Sequence, residues 1–182
     1  LSLLRWLGLG ETSGEGAGPA PAAEDESDTV RRIAGRLERL DPATARYLAT
    51  FAYVLARVAH VDLDIDAQET AEMERRVGTL ASLSEGEAAL VVEIAKTQSR
   101  TLGGADNYTV TREFRNASTP EQRRELLSCL FAVAAADGSI SSAENSEISA
   151  IADELGLSRE ELAAARAAYR DKLAVLQGIG SG

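Results

Sequence analysis

Apolar residues recur at spacings of three and four along most of the chain after Thr29, the period of a helix with one buried face. Two stretches carry the most continuous stripes. Leu48, Phe51, Leu55, Val58 and Ala59 follow Asp41-Pro42, and Leu126, Leu127, Leu130, Phe131 and Ala134 follow Thr119-Pro120-Glu121-Gln122. Each lead-in is a helix start: a capping side chain, then Pro at the first helical position, where its missing N–H removes no bond. Gln122 supplies the reciprocal half of a capping box. These two segments are expected to be the central core helices. Between them Gly103-Gly104 breaks the pattern. Tyr108, Val110 and Phe114 then suit a short helix folding back onto the core.

Four further capping boxes punctuate the chain: Asp66 with Glu69, Ser84 with Glu87, Ser141 with Glu144, and Ser158 with Glu161. Their order reveals a repeat. The segment 62–73 aligns without a gap on 137–148, sharing an Asp, an Ile three on, a Glu seven on and a Glu ten on. After a one-residue deletion, Leu83-Ser84 and Glu87 match Leu157-Ser158 and Glu161. The repeated unit is a core helix, a short acidic turn, an amphipathic helix, a turn and a helix. Two copies predict an all-α, multi-helical domain with pseudo-twofold symmetry, not an open solenoid.

The flanks read differently. Residues 1–9 are apolar, with Leu3, Leu4 and Leu7 on one helical face and Trp6 beside it. They suit either a weak membrane-surface or partner anchor, or a short segment lying on the domain. Residues 10–28 hold no large apolar side chain to offset the entropy of ordering, so they read as a disordered linker. The helical domain then spans 29–177, and 178–182 is a flexible tail. No apolar run reaches the length of a signal-peptide core or a membrane span.

Composition narrows the function. Among 182 residues, 29 are Asp or Glu and 19 are Lys or Arg, a net charge of −10. Nucleic-acid binding needs clustered cations, so it is excluded as the expected role. An acidic surface suits cations or basic protein faces. Cys129 is the only cysteine, which rules out an intrachain disulfide and fits a reducing, cytoplasmic compartment. Phosphate loops, dinucleotide turns and nucleophile elbows are missing from the sequence. With one His and one Cys there is no recognisable set of nucleophile, base and charge stabiliser, so the expectation is a non-enzyme.

The second repeat reads Leu130-Phe131-Ala132-Val133-Ala134-Ala135-Ala136-Asp137-Gly138-Ser139-Ile140, then Glu144, Ile148, Ile151-Ala152 and Leu155-Gly156-Leu157-Ser158-Arg159-Glu160-Glu161. It resembles the TerB-like (tellurite-resistance) family, which also includes the membrane-proximal TerB-like region of the DjlA co-chaperone. The resemblance spans roughly Tyr47 to Tyr169. The first repeat departs from the pattern, with Leu63 where the second has Gly138 and with additional acids at Asp64 and Asp66. The resemblance implies a compact helical domain with two central helices. It also implies association with stress-response systems at the cytoplasmic side of membranes, protein partners, and a metal-linked acidic site.

The residues themselves leave the acidic turns open to two readings. Asp62, Glu69 and Glu72, repeated as Asp137, Glu144 and Glu147, are candidate ligands for a divalent cation. Each Glu pair lies three apart on one helix face. Asp62 and Asp137 fall near the negative ends of the core helices, a placement disfavoured by about 0.3–1 kcal/mol unless a cation or an Arg compensates. Oxygen ligands alone point to Ca²⁺, Mg²⁺ or Mn²⁺. An EF-hand is excluded, because Ala67 stands at its Gly position and Met73 at its final Glu. On the other reading Glu69 and Glu144 are capping-box partners, Asp62 and Asp137 accept turn N–H bonds, and Glu72 and Glu147 are solvated, although capping itself does not require these last four.

A tellurite anion would be repelled by so many carboxylates. His60 is either a metal ligand or a helix-end side chain, and Cys129 is expected in the core. Arg123 and Arg124 either reach acidic turns across the pseudo-twofold or stay solvated. Competing functions are a metal-dependent hydrolase built on the same acids and a purely structural adaptor.

Overall fold

The computed structural model describes residues 21–58, 67–99, 107–136 and 138–173, and every helix among them is α apart from one terminal 3₁₀ turn. In chain order the helices are α1 (Pro21–Leu37), α2 (Pro42–Val58), α3 (Ala67–Leu80), α4 (Glu85–Ser99), α5 (Asn107–Ala117), α6 (Pro120–Ala134), α7 (Ser142–Leu155) and α8 (Arg159–Ala167). The all-α expectation holds. So does the repeat: α2–α3–α4 and α6–α7–α8 follow the same order, with α5 between them. The expected segments 1–9 and 178–182 lie outside the described residues.

Helices α2 and α6 are the centre, as their continuous apolar stripes predict. α2 packs against α4, α5, α6 and α7, while α6 packs against α2, α3, α7 and α8. Leu48, Phe51, Val54, Leu55 and Val58 of α2 are fully buried, as are Leu126, Leu127, Leu130 and Phe131 of α6. Burying side chains of this size stabilises the fold by about 1.5–3 kcal/mol each. The connector α5 joins them through Phe114, which packs with Tyr47 and Phe51 at ring-centroid distances of 5.5 and 5.9 Å. Tyr108 of the same helix points outward and is 60 % exposed.

Capping chemistry sets the helix starts. Asp41 accepts from the Ala43 and Thr44 amides at the head of α2. Thr119 with Gln122, Ser141 with Glu144, and Ser158 with Glu161 form reciprocal boxes at α6, α7 and α8. Ser84 and Glu87 exchange the same bonds at α4. The box expected from Asp66 lies outside the described residues.

Helix α1 is described from Pro21, within the stretch 10–28 read as a linker. Ala22, Ala23, Glu24 and Glu26 are strong helix formers behind a Pro suited to the first turn. They also run on into a docked stretch, whose Ile33 and Leu37 are buried. At the other end, a 3₁₀ turn over Arg170–Lys172 brings the chain back beside the second acidic turn. The Ile140 amide donates to the Lys172 carbonyl at 2.7 Å, and Tyr169 stacks on Phe131.

The repeat is repeated in backbone detail. α3 and α7 both close with a left-handed residue, Ser82 at φ +53° and Gly156 at φ +73°. The next amides, Leu83 and Leu157, reach back to the carbonyls of Gly78 and Ala152. This is the same Schellman closure in both halves. Gly156 has a second reason to be Gly: a Cβ there would lie 2.8 Å from the Arg115 guanidinium carbon. Gly156→Ala is therefore expected to cost about 1–2 kcal/mol. Ser82→Gly, which relieves the same backbone conformation, is expected to stabilise by roughly 0.5 kcal/mol. Thermal melts of both variants check this, and an unchanged midpoint for Gly156→Ala would contradict it.

Candidate functional site

Arg57, in the last turn of α2, is a buried and heavily bonded polar group. Its side chain is 4 % exposed. A cation is favoured at this end of a helix, but burying it requires counter-charges. α7 supplies two. Glu147 and Glu154 lie seven residues apart, two turns along one face. Arg57 Nε donates to Glu147 Oε1 at 2.9 Å, and Nη1 donates to Glu154 Oε2 at 2.6 Å. From α5, the Thr111 hydroxyl accepts from Arg57 and donates to the Asn107 carbonyl. One guanidinium thus joins the first half, the connector and the second half. Burial pulls its pKa down, but the hydrogen bond to Glu154 and the charge of Glu147 together push it above the ordinary arginine value. One cation against two carboxylates leaves the cluster one charge negative.

This network relocates one predicted ligand. Glu147 is held by Arg57 and is 31 % exposed. Its repeat counterpart Glu72 has a different fate. The α6 residue that corresponds to Arg57 is Ala132, so no core guanidinium can serve Glu72 from that position. It is bound instead by Arg75 and Arg76 of its own helix, each at 2.7 Å. Hydrogen bonds from those two guanidiniums hold its carboxyl down at about 2. Glu144 is spent on its capping box, accepting from the Ser141 amide at 2.8 Å. Three predicted ligands therefore go to three separate sets of donors. Asp62, Asp137 and the side chain of Glu69 lie outside the described residues, as does His60. Among the described residues no group of three or more His, Cys, Asp or Glu is placed to hold a metal ion.

Other sequence candidates find structural roles. Cys129 is fully buried, and burial first, then Glu125, pushes its thiol up to about 12, so it is a neutral core side chain. Arg124 pairs with Glu121 and with Glu161, the capping-box residue of α8. Arg123 closes the end of α5 by donating to the carbonyls of Arg115 and Ser118. Sequence reasoning passed over Arg57 and Glu154. The available signal was an Arg interrupting an otherwise apolar helix stripe.

The fold and this site define a class: an all-α, internally duplicated domain whose buried Arg57 cluster ties its halves together. The family model described as Tellurite resistance protein TerB matches residues 47–167. The chain belongs to the TerB family. No curated protein and no solved structure matches it. No helix among the described residues is long and apolar enough to cross a membrane.

Two outcomes follow from the charge geometry. Arg57→Ala leaves two carboxylates facing each other and should destabilise by about 3 kcal/mol. Glu147→Gln keeps the hydrogen-bonding shape and should cost about 1 kcal/mol. Denaturant melts measure both, and equal costs would refute the network. For Glu72, the folded carboxyl titrates below its ordinary value. Its ion pairs therefore favour the fold above the ordinary carboxylate range and are lost as pH falls toward about 2. A carboxyl NMR titration should find that midpoint, and Arg75→Gln with Arg76→Gln should return it toward 4.5. High salt should weaken the effect, because the site is exposed.

Proposed function

We propose that this chain is a non-enzymatic, tellurite-resistance-associated module that acts in the cytoplasm through protein partners. The observation that carries the reading is the commitment of Glu147 to Arg57. A carboxylate already bonded to a buried guanidinium is not an open coordination position, and a metal-dependent hydrolase needs one. Glu72 and Glu144 are similarly engaged by arginines and by a cap. A divalent cation such as Ca²⁺, Mg²⁺ or Mn²⁺ at these turns would have to draw on Asp62, Glu69 and Asp137. Acting as a stress-response protein, and the relation to the DjlA co-chaperone, form part of the same proposal. So does any membrane-surface contact through residues 1–9. The net charge of −10 favours partners with basic faces.

A thermal melt with chelator, then with each of the three cations, tests the proposal. The expected result is a midpoint shift of less than about 1 °C. Cation at a hundredfold its dissociation constant would add about 2.7 kcal/mol and raise the midpoint by several degrees. A selective rise abolished by Asp137→Asn would replace the partner-only reading with a cation-dependent one.

A further inference from the structure

We draw no further inference here: the strongest candidate, the exposed surface stripe of Tyr108, Arg112 and Arg115 along α5, has Arg112 over the Tyr108 ring and Arg115 against Gly156 and the Glu154 carbonyl, and nothing in the structure shows what covers it.

Discussion

A guanidinium buried at the end of a central helix must find negative charge, and that demand organises the relation between the two halves of this domain. Arg57 leaves α2 at the point where the first core helix ends. Its counter-charges come from α7, the second helix of the other half. Because Glu147 and Glu154 sit two turns apart, the fork of the guanidinium fixes the rotation of α7 about its own axis. Thr111 extends the constraint to α5, which its ring contacts already hold against α2. Apolar packing can tolerate a small slide of one helix along another. A directional, desolvated network tolerates it poorly, because a half-made set of bonds leaves charge uncompensated.

The duplication explains the scaffold, and its divergence explains the site. Both halves keep the helix order, the capping box of their last helix (Ser84 with Glu87, Ser158 with Glu161) and the left-handed closure after their middle helices. They differ where charge meets the interior. The first half's core helix carries Arg57, whereas the second half's carries Ala132 at the corresponding place. As a result, Glu147 became an internal bridge and Glu72 a surface cluster with Arg75 and Arg76. Equivalent sequence positions thus differ in chemistry because their neighbours differ: Arg57 stands against Ala132, and Arg75 and Arg76 follow Glu72 whereas no arginine follows Glu147 in α7.

That divergence marks how far the sequence could be read. Helix starts were legible because capping is local: Thr119 with Gln122, Ser141 with Glu144 and Ser158 with Glu161 are encoded within four residues. The central helices were legible because their apolar stripes are continuous. The partner of Glu147 was not, since it lies ninety residues away in sequence and across the pseudo-twofold. Spacing can group Glu144 with Glu147 on a helix, but cannot say which donor each will meet. The first turns of α1 were less legible. Residues 21–28 have little to bury, and their helical state draws on propensity and on anchors further along.

The bond from the Ile140 amide to the Lys172 carbonyl has a consequence for the order of assembly. Ile140, which closes the second acidic turn, bonds a carbonyl beyond α8, so this bond needs both later helices in place. A chain made from its N-terminus can settle α2 against α4 and α5 while this turn still lacks its brace. The stacking of Tyr169 on Phe131 ties the same C-terminal segment to α6.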